Sequence, residues 1–322
     1  MTEYKSFHDP KGGVSRELLR YRLSMPLDIK LAASRQRIKQ FHTKLKGKTY
    51  IAFSGGKDST VLLHLVRSIY PDTPAVFSNT GMEYPEIVDF VKKCQKTMDN
   101  IEIIRPRKSF KQVVDQYGYP AISKEQALFI RQYRTTKSDK LKNLRIEGNK
   151  SGCGKISKKY YKFLDPNAPR ISDQCCDWLK KDPFKQYEKE TKRHAYIGTM
   201  VGESKLREEM YRIHGCNQFD TKRMISKPMS VFTEANIYEY IDMHNIDICP
   251  IYKEPEIDRT GCMFCAFGVT KADRLGRFQH LKAKYPKQFN YVWHKLGLKE
   301  VMEYMGFDEH MISCRQPMLF DK

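Results

Sequence analysis

The chain is 322 residues long and 40% hydrophobic, with 58 Lys and Arg against 38 Asp and Glu for a formal net charge of +20. That length and apolar content suffice for one large core, or a core with a smaller domain appended. No apolar run approaches the roughly 20 residues that cross a bilayer, and Met1-Thr2-Glu3-Tyr4-Lys5 opens without a signal-peptide core, so the chain is expected to be cytoplasmic with no membrane partner.

The positive charge exceeds what solubility requires and points to an anionic partner: a nucleotide, a nucleic acid or both. Residues 1–47 read as an N-terminal helical cap, because Leu18, Leu19, Leu23, Leu27, Leu31, Ile38 and Phe41 supply apolar positions after Ser15, with Pro26 interrupting. Strands expected over 49–53, 75–78, 101–104 and 194–198 alternate with helices beginning near 59, 85, 109 and 234. Such alternation predicts an α/β fold, a parallel twisted sheet with helices on both faces, filling a nucleotide domain over 48–245.

A basic segment at 122–170 interrupts that domain. Lys124, Arg131, Arg134, Lys137, Lys140, Lys142, Arg145, Lys150, Lys155, Lys158, Lys159 and Lys162 interleave there with Tyr133, Tyr160, Tyr161 and Phe163. Cations for phosphates and rings for stacking are how single-stranded nucleic acid is held, and a merely solvated lysine-rich segment is the alternative. Residues 246–322 form a C-terminal region of short helices, one of them near Leu298 to Tyr304.

The loop Ser54-Gly55-Gly56-Lys57-Asp58-Ser59-Thr60 joins the first apolar strand to a helix in which Val61, Leu62, Leu65, Val66 and Ile69 recur at helical spacing. Adjacent glycines let the backbone approach an anion, and the helix start adds N–H donors and the positive end of its dipole, which makes a phosphate cradle. It is not a Walker A loop, which places four residues between its first Gly and Gly-Lys-Ser/Thr.

Nine cysteines in a chain expected to be cytosolic argue for metal or catalytic use over disulfides. Cys94, Cys153, Cys216, Cys249 and Cys314 stand alone, whereas Cys175 and Cys176 are adjacent and Cys262 and Cys265 form a Cys-x-x-Cys. Four sulfur ligands hold zinc or an iron–sulfur cluster. The adjacent pair suits separate corners of a cubane better than one small ion; zinc, free thiols and a vicinal disulfide are the alternatives. Lys180, Lys181, Lys192, Arg193, Arg259 and Lys271 place positive charge close in sequence to these thiols.

Ser54, Gly55, Gly56, Asp58 and Ser59 match the Ser-Gly-Gly-x-Asp-Ser pattern, so the chain resembles the N-type ATP pyrophosphatases, whose pyrophosphate loop binds the phosphates of ATP or the phosphosulfate end of a sulfonucleotide. Asn79-Thr80-Gly81 through Pro85-Glu86 is similar to the Asp-Thr-Gly-x-x-x-Pro-Glu of the phosphoadenosine phosphosulfate reductase family, with Asn79 for Asp. Gly198 with Glu203-Ser204 and Arg207 resembles its Gly-x-x-x-x-Glu-Ser-x-x-Arg, and Pro228 to Thr233 its Pro-Leu-x-x-Trp-Thr, with Phe232 for Trp. The likeness runs over about residues 40 to 290.

It implies an adenine-nucleotide α-hydrolase-like fold and nucleotide contacts from Ser54, Gly55, Gly56, Ser59, Thr60, Thr80, Gly81, Glu203 and Arg207. Within that family the order Cys175-Cys176, then Cys262 and Cys265, resembles the [4Fe-4S] ligand set of the assimilatory adenylyl-sulfate reductases. One departure stands out. The tail Glu-Cys-Gly-hydrophobic-His motif of the true reductases has no counterpart, and Cys314 sits in Ser-Cys-Arg instead.

Three functions follow from the resemblance. In an ATP-dependent sulfur transfer, as in tRNA thiolation or DNA phosphorothioation, Lys57 neutralises phosphate charge, Asp58 orients the loop or holds magnesium, and a sulfur donor displaces AMP. In a sulfonucleotide reductase, Cys314 is the nucleophile and a thioredoxin-like thiol the reductant. A non-catalytic nucleotide- or nucleic-acid-binding regulator is the third. The missing tail motif favours the first.

Overall fold

The computed structural model describes residues 13–254, 257, 260–269 and 275–313. The N-terminal Met1 to Lys5, Arg259, Lys271, Cys314 and Arg315 lie outside the described residues.

Helix α1 (Arg16–Ser24) is capped by Ser15, whose Oγ accepts from the Leu18 N–H at 3.1 Å. Pro26 forces Met25 into an extended conformation and starts α2 (Leu27–Lys44) on a new axis. Then come β1 (Thr49–Ala52), α3 (Lys57–Arg67), β2 (Ala75–Ser78), α4 (Pro85–Thr97) and β3 (Ile101–Ile104). Helix α5 (Phe110–Tyr117) begins in a Ser109/Gln112 capping box and precedes β4 (Ala121–Ile122).

The basic segment forms α6 (Lys124–Thr135) and α7 (Asp139–Glu147). After a π-helical turn at Asp177–Lys181 follow α8 (Asp182–Thr191), β5 (His194–Ile197), α9 (Lys205–His214), β6 (Asn217–Gln218), β7 (Ile225–Ser226) and α10 (Glu234–His244). Strand β8 (Ala266–Phe267) and helices α11 (Gly276–Lys284), α12 (Pro286–Lys295), α13 (Leu298–Met305) and α14 (Glu309–Ser313) complete the described chain. Among the described residues no helix is long and apolar enough to cross a membrane.

These elements form two compact units. One takes the described residues up to Asn79, Pro85–Ile104 and Phe184–Glu254; the other takes Thr80–Tyr84, Arg105–Pro183 and the described residues beyond Glu254.

The first unit is built on a six-stranded sheet of order β3-β2-β1-β5-β7-β6, parallel except for β6. In the β1–β5 register Tyr50 faces Ala195 and Ile51 faces Tyr196, and strand alternation sends the two pairs to opposite faces. On one face Tyr50 meets Tyr187 of α8 edge-on at 5.0 Å, in a cluster with Val76 and Ala195. On the other Tyr196 packs against Phe41 of α2 at 5.2 Å and donates to the Ile38 carbonyl at 3.0 Å. Helices therefore cover both faces, as the α/β reading expects.

The chain steps outward from β1 through β2 to β3, then returns to continue through β5 and β7 on the other side. The order reverses between β1 and β5, the place where open α/β sheets bind ligands at the carboxyl ends of their strands.

In the second unit β4 and β8 pair in parallel, Ala121 with Ala266 and Ile122 with Phe267. Tyr119 bridges to Ile171 on its other side. Gly118 has φ +100°, and a Cβ there would stand 2.4 Å from the Arg170 carbonyl oxygen, so only glycine lets the two segments approach this closely. Strands β4, β6, β7 and β8 are two residues each, too short to carry a period, and the sequence reading contains none of them.

Candidate functional site

The loop after β1 folds onto its own hydroxyls. Ser59 Oγ accepts from the Ser54 N–H at 3.1 Å and donates to the Gly56 carbonyl at 2.9 Å, while Ser54 Oγ lies 3.0 Å from Ser59 Oγ and Thr60 Oγ1 donates to the Gly56 carbonyl at 3.0 Å. Gly55 has φ +73°, and a Cβ would meet Val91 Cγ2 at 2.8 Å and Ile87 Cγ2 at 3.0 Å, so α4 packs directly on loop backbone. Gly56 is the N-cap of α3 without a side-chain cap, which turns that helix's positive end toward the loop. Gly198, just past β5, comes within contact of the Asp58 carbonyl; a Cβ there would be 3.1 Å from it.

Lys57 is buried and paired within the first unit. Its Nζ lies 2.8 Å from Glu234 Oε1 and over the rings of Tyr252 and Tyr238 at 5.1 and 5.5 Å, while its N–H donates to the Tyr252 hydroxyl at 3.1 Å. Burial disfavours the ammonium, but the Glu234 hydrogen bond and the charges of Asp58, Tyr238 and Glu234 outweigh it and hold the pKa above the usual lysine range. Glu234, Tyr238 and Tyr252 were not singled out from sequence, because contacts over such separations leave no local pattern.

At the carboxyl end of β5, Glu203 accepts from the Met200 N–H at 2.8 Å and pairs with Arg207, while Ser204 caps α9 through the Arg207 N–H at 3.3 Å. The segment expected to face substrate is thus a capped helix start with a carboxylate holding its arginine.

Thr80, Gly81 and the four paired cysteines belong to the second unit. Glu83 closes the 80–84 loop by accepting from the Thr80 N–H at 3.0 Å and hydroxyl at 2.6 Å, and the Met263 N–H donates to the Met82 carbonyl at 2.8 Å. The Cys262–Cys265 turn is fixed from three further sides: Tyr119 donates to the Phe264 carbonyl at 2.6 Å, Arg277 to the Cys265 carbonyl at 2.8 Å, and the β4–β8 ladder follows at Ala266. Tyr119 also makes an isolated bridge to Ile171, in the segment that leads to Cys175 and Cys176, so one short segment touches the approaches to both cysteine pairs.

The thiols sense one another. Burial pushes the Cys175 thiol far up, and the charges of Cys262, Cys176 and Cys265 add to it. Burial also raises Cys262, against the pull of Lys180, and brings Cys265 to about 11. The Lys180 ammonium hydrogen-bonds the Cys262 sulfur and is raised by the charges of Cys262, Cys176 and Glu83 against its own desolvation. Cys175 is buried and Cys176, Cys262 and Cys265 are half-buried; thiols beside a cation are donors suited to a thiophilic metal centre. Among the described residues no group of three or more His, Cys, Asp or Glu side chains is disposed to hold a metal ion.

The expected site residues therefore divide: Ser54, Gly55, Gly56, Lys57, Asp58, Ser59, Thr60, Glu203 and Arg207 in one unit, and Thr80, Gly81, Cys175, Cys176, Cys262 and Cys265 in the other.

Known proteins share this chain's pattern. Two uncharacterised proteins of Methanocaldococcus jannaschii are 23% identical over 279 residues and 28% identical over 260, and the chain covers 53% and 42% of their lengths. It thus spans about half the length of these curated relatives. The sulfate adenylyltransferase subunit 2 of Zymomonas mobilis is 26% identical over 236 residues, 67% of this chain and 65% of that protein. A crystal structure of phosphoadenylyl-sulfate reductase from Candida auris, in complex with phosphate, superposes with a TM-score of 0.45 at 12% identity, over 77% of this chain and 96% of that one. Residues 48–267 match the phosphoadenosine phosphosulfate reductase domain from before the glycine loop through the Cys-x-x-Cys, and the chain is a member of that family.

Proposed function

We propose that the chain is an enzyme of sulfur metabolism that activates an acceptor with ATP and then exchanges the adenylate for sulfur, the acceptor being a nucleic acid. The observation that carries this reading is the loop at 54–60, closed by its own serines at the uncapped start of α3 and beside the sheet's reversal point. A helix start whose dipole faces a glycine loop favours a chain of phosphates.

In the reaction, an acceptor oxygen attacks the α-phosphorus of ATP and the bond to pyrophosphate breaks. A sulfide-level donor then displaces AMP from the adenylated acceptor. Ser54, Gly55, Gly56, Ser59 and Thr60 hold the phosphates, and Asp58 orients the loop or holds magnesium. Lys57, braced by Glu234, fixes the helix start and adds positive charge beside it. The net charge of +20 and the basic helices α6 and α7 support a nucleic-acid acceptor.

Cys175, Cys176, Cys262 and Cys265 are proposed to hold a [4Fe-4S] cluster. The Cys262–Cys265 turn held by Tyr119 and the β4–β8 ladder, with Lys180 beside it as a counter-cation for thiolates, supports this reading. The cluster supplies a Lewis-acidic, thiophilic surface when bound. Protein purified anaerobically is expected to be brown and to lose colour in Cys262→Ser; colourless protein with stoichiometric zinc would overturn the assignment.

A second reading, sulfite release from a sulfonucleotide with Cys314 as nucleophile and a thioredoxin-like reductant, is favoured by a 79-residue stretch 32% identical to the phosphoadenosine 5'-phosphosulfate reductase of Alkalilimnicola ehrlichii. One anaerobic assay separates the two. Pyrophosphate release from ATP that rises with added tRNA or DNA supports sulfur transfer. Sulfite release that vanishes in Cys314→Ser supports reduction, and nucleotide binding with neither product leaves a regulator.

A further inference from the structure

The basic segment after β4 carries thirteen Lys and Arg against four Asp and Glu over 122–170, nearly half of the chain's excess charge of +20. Its arginines hold the fold together. Arg131 Nε donates to Asp173 Oδ1 at 2.7 Å, and Arg134 donates to the carbonyls of Pro166 at 3.0 Å and Ala168 at 3.2 Å. Arg145 donates to Gln132 Oε1 at 2.9 Å and to the Gly154 carbonyl at 2.6 Å, with its guanidinium 4.1 Å over the Phe129 ring. Arg170 reaches the Asp115 carbonyl at 2.6 Å, and Lys162 joins the arginines by donating to the Tyr304 carbonyl. A planar guanidinium bridges several oxygens at once, which suits it to this structural work.

The lysines behave differently. Among the described residues the ammonium groups of Lys137, Lys140, Lys142, Lys150, Lys155 and Lys158 have no hydrogen bond, ion pair or ring contact, and all but the half-buried Lys142 are exposed. Elsewhere exposed lysines do find carboxylates: Lys93 pairs with Asp247 at 2.5 Å, Lys111 with Asp115 at 2.6 Å and Lys181 with Asp177 at 2.7 Å. The six lie on one framework. No residue of α7 is buried, so that helix runs along the surface, and the stretch after it folds back onto both helices. The Ile156 N–H donates to the Arg145 carbonyl at 2.7 Å, while Gln126 of α6 accepts from the Ser157 N–H at 2.8 Å and donates to the Lys155 carbonyl at 3.3 Å. Tyr161, in the 3-10 helix Lys158–Leu164, donates to the Ile146 carbonyl at 3.4 Å. Lys155 and Lys158 are thereby held near the last turn of α7, and Lys137, Lys140 and Lys142 stand at its start, about 14 Å away along a nine-residue helix.

Rings stand among these cations. Tyr133 and Tyr160 are half-buried, neither hydroxyl has a partner among the described residues, and the Lys159 ammonium lies 4.9 Å over the Tyr160 ring. Like charges without counter-ions repel one another until a polyanion joins them. Rings beside them add stacking, which a base offers only when it is out of a duplex. We infer that α7, the 148–157 loop and the 3-10 helix after it form a docking surface for a single-stranded nucleic acid, with phosphates on the unpaired lysines and bases on Tyr133 and Tyr160. The inference rests on the nucleic-acid reading above and gives that acceptor its place on the chain.

The test is fluorescence anisotropy of the full chain with a labelled single-stranded oligonucleotide, and with the same sequence as a duplex, over a series of salt concentrations. One variant combines Lys137→Ala, Lys140→Ala, Lys155→Ala and Lys158→Ala. Its control combines Lys39→Ala, Lys96→Ala, Lys185→Ala and Lys189→Ala, which removes as many exposed charges from the first unit. The first variant is expected to bind the single strand about tenfold or more weakly, with the slope of log affinity against log salt reduced by about 3, at ~0.7 per phosphate contact. The control keeps the parent's slope, and both melt with the parent. Tyr133→Leu with Tyr160→Leu weakens the single strand several-fold and leaves the slope unchanged. Glutamine at the same four lysines repeats the measurement should the alanine variant melt early.

Equal losses in the variant and its control would reduce the effect to net charge and overturn the surface. A duplex bound as tightly as the single strand, with no effect of the tyrosine substitutions, overturns the single-strand assignment. A variant that binds like the parent, while nucleic acid still raises pyrophosphate release from ATP, overturns the surface and leaves the acceptor reading intact. Binding lost in the variant, with no such rise in the parent, keeps the surface and overturns the acceptor reading. A parent that binds neither oligonucleotide overturns both.

Discussion

Gly55 shows how strictly the loop after β1 depends on one missing carbon. Its φ of +73° disfavours any side chain, and Val91 and Ile87 already occupy the space a Cβ needs. Gly55→Ala is expected to cost ~1–3 kcal/mol through backbone strain and displaced packing, read as a lower melting temperature together with lost nucleotide affinity. An unchanged melting temperature would show that the loop relaxes freely. The cysteines that stand alone in the sequence separate in the same way, by surroundings. Cys153 is exposed while Cys94, Cys216 and Cys249 are buried, so brief native alkylation followed by peptide mass mapping should label Cys153 and spare those three. Burial pushes the Cys249 thiol up to about 11 from the ordinary 9.0. The unfolded chain therefore releases this proton first as pH rises, and the contribution to stability, complete below the ordinary value, is lost as pH climbs toward about 11. Denaturation midpoints of Cys249→Ala should fall less steeply than the parent's across that window; parallel curves would refute it.

At the scale of elements, the segment from Tyr119 to Ile122 touches the approaches to both cysteine pairs without containing a cysteine. It bridges Ile171 on one side and pairs with Ala266 and Phe267 on the other, and the Tyr119 hydroxyl holds the carbonyl of Phe264 between Cys262 and Cys265. Tyr119→Phe leaves that buried carbonyl short of a donor, a loss of ~1–3 kcal/mol. Anaerobically purified Tyr119→Phe should also retain less iron after gel filtration than the parent; equal iron with lowered stability would confine the tyrosine to a structural role. None of this was legible in the sequence. The four strands that begin at Thr49, Ala75, Ile101 and His194, the break at Pro26 and the helices after the glycine loop were legible, because each carries an apolar run or a cap within a few residues. Two-residue strands carry no such signal and exist only because distant backbone offers a partner. For the same reason the cysteine pairs could be named but not the tyrosine that touches their approaches, and Lys57 could be named but not Glu234 as its counter-ion.

Across the whole molecule, the two units are each assembled from separated stretches, with the chain passing between them at 79/80, 84/85, 104/105, 183/184 and 254/255. Neither unit can be released as one contiguous fragment. A chain ended after Glu254 keeps every strand of the six-stranded sheet but loses β8 and α11 to α14, and with them Cys262 and Cys265. Strand β4 then has no ladder partner, the Tyr119 hydroxyl loses the Phe264 carbonyl, and the core residues Phe264, Phe278, Phe289 and Trp293 are removed from the second unit. Large apolar deletions of that kind exceed what a small core tolerates, since each buried aromatic contributes ~2–3 kcal/mol. Limited proteolysis of the 1–254 chain should therefore cut early within 105–183, while peptides from β1, β2, β5 and β7 stay protected as in the parent. Uniform protection across 105–183 would mean that this stretch folds without the C-terminal helices, and uniform cleavage would mean that the six-stranded sheet depends on them.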